Sequence, residues 1–432
     1  MDDIGSLIAK VVLAIIIMNM MLGVIAYLIL LERKTAAWMQ DRIGPNRVGP
    51  KGLLQPIADG VKFILKEEFI PQNADKFLFL LAPVAILTPS MCGFAVIPWG
   101  GILEKGSSVL GLWQFPADFP FMVSNASIGV LFVVATAGLA TYGVVLGGWA
   151  SGSKYSFLGG LRAAAQMLSY EVPLSLSLMA VLLYVGTLNL ETMVEAQAHY
   201  WLGVIPKWNI FSQPVAALIF TVAIFAEANR TPFDLAECES ELVGGYHTEY
   251  SSMKFALFFL AEYAAMITGS AVMVSLFLGG WHLPWIDHLI YRNAAGGLDQ
   301  PAVGNWIDVL IKFAVFWGKV VAFIFFYMWI RWTLPRFRFD QLMNLAWRGM
   351  IPMSLATLLI TGLVVFLQRD YHLSYAPFWI LIGNLVVFAV ALAILAKRPP
   401  KSQNKRLPVP NSRYNPQFAQ ELAARSAIDA GI

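Results

Sequence analysis

Long apolar stretches, separated by shorter polar segments, run along most of the chain. A helix needs about 20 apolar residues to cross a bilayer, and stretches of about that length lie at 8–32, 77–100, 124–149, 162–189, 209–228, 254–280, 306–333, 350–368 and 375–396. The pattern predicts an all-α, polytopic membrane protein with about nine transmembrane helices. Pro173 lies inside the fourth stretch, where a proline removes a backbone hydrogen bond and is expected to kink the helix.

Composition supports a membrane class. Of the 432 residues, 58% are hydrophobic and only 13% are charged, whereas soluble domains carry roughly a quarter charged residues. A soluble core cannot hide this apolar excess, so lipid is the expected solvent. The chain begins with Met1, Asp2 and Asp3, and a cleaved secretory signal would begin with basic residues. The first stretch is therefore predicted to be an uncleaved span.

Lysine and arginine placement predicts the orientation, because these residues concentrate in cytoplasmic segments. With the N-terminus outside, the outward segments hold only Lys10, Lys105, Lys207, Arg292 and Arg369. The inward segments and the tail hold most of the others. This bias predicts a periplasmic N-terminus and a cytoplasmic C-terminus in a bacterial inner membrane. Residues 1–396 form the expected membrane domain, and the Pro-rich, polar residues 397–432 form an expected cytoplasmic extension, partly disordered.

Metal centres are not expected. The chain has two cysteines, Cys92 and Cys238, far apart in sequence. An iron–sulfur cluster or a structural zinc site takes about four ligands. We therefore expect neither a metal nor a cofactor bound by this chain.

The inward segment 32–75 contains a predicted amphipathic helix at 53–69. Its apolar residues recur at helical spacing: Leu53, Leu54, Ile57, Val61, Ile64 and Leu65. Such a helix lies along the membrane surface with its apolar side toward the acyl chains. Two interpretations remain open, a simple interfacial anchor and the mouth of a lipid-accessible cavity.

A second inward segment, 227–250, is strongly acidic. It holds one arginine, Arg230, and six acids: Glu227, Asp234, Glu237, Glu239, Glu241 and Glu249. Carboxylates that lie close together raise one another's pKa. The segment is consistent with proton uptake or relay, and equally with docking of a basic partner.

Ionisable residues also fall inside the predicted spans, where each is costly unless it faces a polar interior. Glu171 lies about nine residues into the fourth span, Glu262 at similar depth in the sixth, and Lys319 near the middle of the seventh. With Glu227, they could surround a buried hydrated path for protons. The alternative is structural ion pairing between helices.

Three long, charge-rich strings carry a family resemblance: LLERKTAAWMQDRIGPNRVGPKGLLQPIADGVKFILKEE, EANRTPFDLAECESELVGGYHTEYSSMKFALFFLAEY and RWTLPRFRFDQLMNLAWR. They resemble the family of H subunits of the proton-translocating NADH-quinone oxidoreductases, respiratory complex I. The likeness extends from the first span through the eighth. It implies a bundle of eight or nine tilted helices at the heel of the membrane arm.

The resemblance implies a role for individual residues. Arg33, Ala58, Asp59, Arg230 and Phe233 would line the quinone tunnel. Glu227, Glu237, Glu239 and Glu241 would form an acidic funnel, with Glu171 and Glu262 deeper in the membrane. Quinone would be the substrate. No residue of this chain would be catalytic in the strict sense, because the redox centres, FMN and the iron–sulfur clusters, belong to partner subunits. The other implied partners are the remaining membrane-arm and peripheral-arm subunits.

The sequence departs from the family pattern in two places. The third span has no Asp or Glu, so a carboxylate that some relatives carry there is missing, and the path would rely on water or Tyr142. The tail after residue 396 is outside the shared core. Two other functions remain open: the equivalent subunit of a membrane-bound hydrogenase-type complex, and a stand-alone cation transporter.

Overall fold

Helices account for most of the computed structural model, which describes residues 2–103, 108–109, 113–114, 119–201, 205–234, 243–284, 306–372 and 375–397. Within these residues, eight helical stretches are long and apolar enough to cross a membrane. They are Lys10–Met39, Lys76–Val96, Gly129–Ala150, Lys154–Val185, Ser252–Phe277, Val309–Thr333, Phe339–Tyr371 and Ala376–Ile394. The all-α, multi-pass fold predicted from the apolar pattern is confirmed.

Thirteen α-helices follow one another along the described chain. They are α1 Asp2–Met39, α2 Gln55–Leu65, α3 Lys76–Cys92, α4 Gly129–Ala150, α5 Lys154–Val185, α6 Leu190–Ala196, α7 Asn209–Ser212, α8 Pro214–Glu227, α9 Ser252–Phe277, α10 Trp306–Thr333, α11 Phe339–Leu345, α12 Ile351–Tyr371 and α13 Ala376–Lys397. Short 3-10 turns lie at Pro50–Gly52, Gly93–Val96 and Gly245–His247, and a π-helical turn, Ala346–Met350, joins α11 to α12.

Sheet structure, in the part of the chain that is described, is confined to two-residue strands between helices. β1 Ile102–Leu103 pairs with β4 Phe119–Pro120, β2 Ser108–Val109 pairs with β3 Trp113–Gln114, and β5 Tyr200–Trp201 pairs with β6 Ile205–Pro206. All three pairs are antiparallel. They lie in the segments that connect helices.

The predicted fifth span, 209–228, differs from the other eight. It is divided into α7 and α8 at Gln213, whose φ of −129° and ψ of 59° are not helical, and Pro214 then begins α8. The 14 residues of α8 extend about 21 Å, whereas the hydrocarbon core is about 30 Å thick. Nine apolar stretches therefore yield, in the described ranges, eight helices of spanning length and one short apolar helix.

Two helix boundaries differ from the predicted ones in ways that matter for the site. α1 continues to Met39, so Glu32 and Arg33 lie on the helix rather than in a loop. α5 begins at Lys154 and continues through Pro173, and this places Glu171 about 26 Å from the start of the helix. The apolar pattern predicts roughly half that depth, because the polar residues at the start of α5 do not belong to the apolar stretch.

Helix packing centres on α5 and α9. α5 packs against α4, α8 and α12, and α9 packs against α1, α3, α8 and α10. Glycines permit the closest approach: a Cβ on Gly148 of α4 would lie 3.1 Å from the Cα of Gly160 on α5. Small residues at such crossings are typical of membrane helices.

The chain divides into two compact units, residues 1–388 and residues 389–432. The first contains every element from α1 to α12 and the first turns of α13. Of the second, the structure describes only residues 389–397, the final turns of α13.

Candidate functional site

Four side chains meet at the end of the bundle where the 40–75 and 228–250 segments lie, here called the charge-rich end. The Glu32 carboxylate of α1 forms ion pairs with Arg331 of α10 and, at 3.6 Å, with Arg230 after α8. It also accepts a hydrogen bond from the Tyr263 hydroxyl of α9, at 2.5 Å. These four residues, the Glu32 cluster, join three helices and the chain just beyond α8.

Arg230 is the most enclosed cation of the Glu32 cluster, with only 6% of its surface exposed. Its guanidinium carbon lies 4.0 Å from the centre of the Tyr263 ring, in a cation–π contact. Burial alone would lower the pKa of Arg230, but the neighbouring Tyr263, Glu32 and Glu262 raise it well above its usual value. The buried side chain therefore stays charged.

The residue after Glu32 turns to a different partner. The Arg33 guanidinium donates to the Asp59 carboxylate of α2 at 2.7 Å. Gln55 donates to the other Asp59 oxygen at 3.0 Å, and the Lys34 ammonium donates to the Lys51 carbonyl. Glu32 and Arg33 are consecutive on α1, so this helix connects the Glu32 cluster directly with α2.

The far end of α2 is held by the start of α9. The Ser252 hydroxyl donates to the carbonyls of Phe63 and Lys66, at 2.8 and 3.0 Å. The ammonium group of the buried Lys254 lies 2.9 Å from the carboxylate of Glu68. Both ends of the surface helix are therefore attached to the bundle by polar contacts.

Between these attachments, α2 presents an open apolar face. No residue of α2 is buried, and Ile57, Val61, Ile64 and Leu65 are exposed by 58%, 49%, 67% and 79%. Four large apolar side chains on one short helix are typical of a helix that lies in the membrane interface. The predicted surface amphipathic helix is confirmed, with bounds shorter than 53–69.

A cavity of about 80 Å³ lies between α3, α4, α5, α8 and α9. Carboxylates from three helices line it: Glu171 of α5, Glu227 of α8 and Glu262 of α9. A water needs about 10–15 Å³ of such space and two or more polar partners, so the cavity can hold several waters beside these groups. The structure thus brings together the three carboxylates that the sequence placed inside or at the end of spans, although only Glu262 is fully buried.

Local geometry makes room for the carboxylates. A Cβ on Gly138 of α4 would lie 2.7 Å from the Glu171 Oε1 atom, so a larger residue there would displace that side chain. The Tyr246 hydroxyl donates to Glu262 at 3.2 Å. Asn229 lines the cavity and immediately precedes Arg230. The cavity and the Glu32 cluster are thus neighbours along the chain.

Lys319 does not line this cavity. Its ammonium group donates to the carbonyls of Leu278, Gly280 and His282, just beyond the end of α9, at 2.5–2.8 Å. It also lies 4.5 Å from the centre of the Trp208 ring. The expected arrangement of three acids and a lysine around one path is therefore corrected: Lys319 donates to carbonyls of the segment that follows α9.

The other predicted residues fall in varied settings. Phe233 is 4% exposed and its ring packs between Tyr170 and Phe337, at centroid distances of 5.4 and 5.6 Å. Ala58 lies on α2 beside Asp59. Tyr142, the suggested substitute on α4, is 66% exposed and does not line the cavity. Three further predicted residues lie outside the described ranges: Glu237, Glu239 and Glu241.

Sequence reasoning missed the central role of Glu32 and Arg331 in the charged cluster. The available signal was an acid and a base near the ends of two apolar stretches, since ionisable residues there are expensive unless paired. Which base meets which acid was not visible, because Glu32 and Arg331 are 299 residues apart. Across the described ranges, no group of three or more His, Cys, Asp or Glu side chains could hold a metal ion.

Comparison with known proteins gives a consistent family. The model of the family described as NADH dehydrogenase matches residues 11–362. The chain is 47% identical over 362 residues to the H 1 subunit of the NADH-quinone oxidoreductase of Cytophaga hutchinsonii, covering 84% of this chain and 98% of that protein.

Two further relatives agree. The H subunit of the NADH-quinone oxidoreductase of Flavobacterium johnsoniae is 43% identical over 364 residues, covering 84% of this chain and 97% of the relative. The corresponding protein of Bdellovibrio bacteriovorus is 43% identical over 365 residues, covering 82% and 95%. The resemblance carried by the three charge-rich strings is confirmed, and the chain belongs to the NADH dehydrogenase family.

Proposed function

We propose that the chain is the membrane subunit of an NADH:quinone oxidoreductase that forms the quinone access chamber and couples quinone reduction to proton translocation. The observation that carries the proposal is the position of the Glu32 cluster. It lies between the surface helix α2, reached through Arg33, and the cavity carboxylates, reached through Arg230 and Asn229. One set of buried charges thus borders a lipid-facing element on one side and a hydratable cavity on the other.

Quinone would approach along α2. An isoprenoid tail is apolar and matches the exposed apolar face of this helix between Ile57 and Leu65. A quinone headgroup has two carbonyl oxygens that accept hydrogen bonds, and the Arg33 and Arg230 guanidinium groups would donate to them. Arg33 contacts α2 through Asp59, and Arg230 belongs to the Glu32 cluster. Ala58 and Phe233 would add apolar surface, Phe233 only if its ring leaves the contacts with its aromatic neighbours.

Reduction would be sensed as charge. Reducing a quinone to a quinol takes two electrons, which a redox centre in a partner subunit supplies, and two protons. Negative charge that develops near Arg230 competes with Glu32 for the guanidinium. That change reaches Asn229 and Glu227 through the few residues that follow α8.

The cavity carboxylates would carry the response. Glu227, Glu171 and Glu262 would exchange protons through cavity water, because they line one hydratable space. The acidic residues that precede the 243–250 segment are the proposed proton supply. They are Glu237, Glu239 and Glu241.

The subunit would work within a multisubunit complex of a bacterial inner membrane. The partners are the other membrane-arm and peripheral-arm subunits, which hold FMN and the iron–sulfur clusters. The N-terminus is periplasmic and the C-terminus cytoplasmic, in a bacterial inner membrane, because the charge-rich end holds most of the lysines and arginines.

Two experiments test the proposal. Affinity purification of the tagged chain from its own membranes should recover NADH-oxidising subunits; recovery of hydrogenase subunits, or of this chain alone, would reject it. In the purified complex, a photoreactive quinone should label the 55–65 segment, and excess unlabelled quinone should compete. The matched control is the exposed apolar surface of α12, at Leu359 and Leu363, which lipid covers equally well. Equal labelling of both segments would contradict a specific quinone route.

A further inference from the structure

A buried carboxyl group lies at the end of the bundle opposite the Glu32 cluster. Glu191 is in α6, which begins after the end of α5, and it is 3% exposed. Its Oε2 atom accepts a hydrogen bond from the Asn125 amide at 2.5 Å. Asn125 is itself held by Asn189, the N-cap residue of α6, at 2.6 Å.

The second oxygen of this carboxyl group has no such partner. Within the described ranges, the Glu191 Oε1 atom is buried and makes no hydrogen bond. Leaving a buried acceptor unsatisfied is unfavourable, and more so when the group is charged. A proton on Oε1 removes that charge, so the environment favours the neutral carboxylic acid.

The surrounding charges act in the same direction. Burial raises the pKa of Glu191 to about 7, and nearby Glu195 contributes to the rise while the Asn125 hydrogen bond opposes both. Burial also raises the pKa of Glu195, against which Lys312 of α10 acts. His282, just beyond α9, is a further titratable group on whose pKa Lys312 acts.

His282 does not compete for a proton near neutrality. Burial, Lys319, Lys312 and His199 lower the pKa of His282 to about 3, so its ring is neutral at pH 7. The groups that bear on the pKa of Glu191 are therefore Glu195, on its own helix, and the Asn125 amide.

Glu191 is also close to one end of the cavity and to solvent. Val130, in the first turn of α4, lines the cavity, and its backbone N–H donates to the Leu188 carbonyl at 3.0 Å, three residues before Glu191. Leu190 and Val130 are both buried and belong to the same apolar core. On the other side, Glu191 is one hydrogen bond from Asn125, which is exposed. An apolar plug thus separates the carboxyl group from the cavity, and one amide separates it from water.

We propose that Glu191 binds and releases a proton at the end of the bundle opposite the Glu32 cluster, as the exchange site on that side for protons moved through the cavity. On release, the O–H bond at Oε1 breaks, the proton goes to water, and the carboxylate keeps the negative charge while Asn125 donates to Oε2. The coupling to the cavity rests on the proposed function; the proton exchange does not.

Infrared difference spectra of the purified complex test the exchange. The carboxylic C=O band of the wild type minus Glu191→Gln should titrate near pH 7 and shift in heavy water. Glu195→Gln is the comparison variant, because that carboxyl is exposed on the same helix. It should retain the band, with a lower titration midpoint, because Glu195 contributes to the raised pKa of Glu191. Asn125→Ala should raise the titration midpoint of the band, because the amide stabilises the ionised form. This measurement tests the assignment even if the Glu191→Gln complex assembles poorly.

Proton release from vesicles containing the complex tests the coupling. Glu191→Gln should slow acidification on that side by at least about tenfold at neutral pH, while photolabelling of the 55–65 segment by quinone stays as in the wild type. A band that persists in Glu191→Gln, or one that titrates near the ordinary carboxyl range, would overturn the proposal. Loss of the band with wild-type proton release would overturn it too. Failed quinone labelling would count against the proposed function instead.

Discussion

The Glu32 cluster and the cavity carboxylates hold the same kind of group within the bundle in two different ways. Glu32 contacts two arginines and a tyrosine hydroxyl at once, so its charge is compensated on every side. Within the described residues, no ion pair or hydrogen bond joins the side chains of Glu171 or Glu227 to a partner. The first arrangement fixes a charge in place. The second leaves two carboxylates beside a hydratable space, where a proton can come and go.

The difference shows that burial alone does not identify a proton-transfer group. A buried ion pair can hold three helices together without ever changing its charge. A carboxylate with space for water and no fixed counter-ion can titrate. Substitutions that remove charge with little change of size separate these two cases, since they should affect stability at one site and proton movement at the other.

The largest expected effect is on assembly, from Glu32→Gln. Arg230 and Arg331 would lose their shared carboxylate, and an uncompensated buried charge costs about 3–5 kcal/mol. We expect the free energy of unfolding to fall by that amount and the assembled complex to become scarce on native gels. Normal amounts of a complex with a wild-type unfolding midpoint would show that the Glu32 cluster does not hold α1, α9 and α10 together.

The next effect is on coupling, from Glu227→Gln. The amide occupies the same space but cannot carry a proton, so we expect assembly to persist and the rate of ΔpH formation per NADH oxidised to fall at least about tenfold. Vesicles containing the complex give this rate directly. Glu67→Gln, an exposed carboxylate at the charge-rich end, is the control. Wild-type quinone reduction and pumping in Glu227→Gln would remove the cavity from the mechanism.

A smaller effect concerns pH and Glu191. Its folded pKa, about 7, is above the ordinary value of 4.5, so the folded state binds a proton that the unfolded chain has already lost between these values. Stability therefore falls as pH rises from about 4.5 to 7. In the thermal midpoint of the complex we expect a contribution of about 1–2 °C. In Glu191→Gln, the thermal midpoint should fall less between pH 4.5 and pH 7, by this contribution. An unchanged pH dependence of the midpoint would show that Glu191 has an ordinary pKa.

The smallest effect is expected from Asp59→Asn. The Arg33–Asp59 ion pair is short, but 49% of the Arg33 side chain is exposed, and exposed pairs contribute about 0–1 kcal/mol. We expect the unfolding midpoint to move far less than it does in Glu32→Gln. A loss comparable with that of Glu32→Gln would mean that α2 is held to the bundle mainly by this contact.

Several parts of the fold followed from local pattern. Apolar stretches of spanning length located eight of the long helices, because the bilayer sets their length. The apolar residues between Ile57 and Leu65 recur at helical spacing, which predicted α2. The same spacing puts them on one face, which is the face expected at a membrane interface. The sequence did not predict that the fifth stretch is divided at Gln213, because a proline such as Pro214 is tolerated both at the start of a helix and within a kinked one.

The site could be predicted only in part. Glu171, Glu227 and Glu262 were singled out because an acid in an apolar helix needs a polar surrounding, and the structure has them line one cavity. The same argument applied to Lys319 placed it with them, whereas it caps the carbonyls after α9. An ammonium group has several ways to be satisfied, and hydropathy does not distinguish a carboxylate from a carbonyl partner.

The sequence by itself determined the class of this protein, the approximate positions of its eight long apolar helices, the surface helix and the residues that carry the family likeness. These are properties of single segments, and the bilayer acts on each segment separately. Only the tertiary structure decided that Glu32 joins Arg230 and Arg331, that Lys319 is apart from the acids, and that Glu191 is buried with one unsatisfied oxygen. Each of these depends on how helices distant in sequence rotate against one another, which hydropathy does not specify.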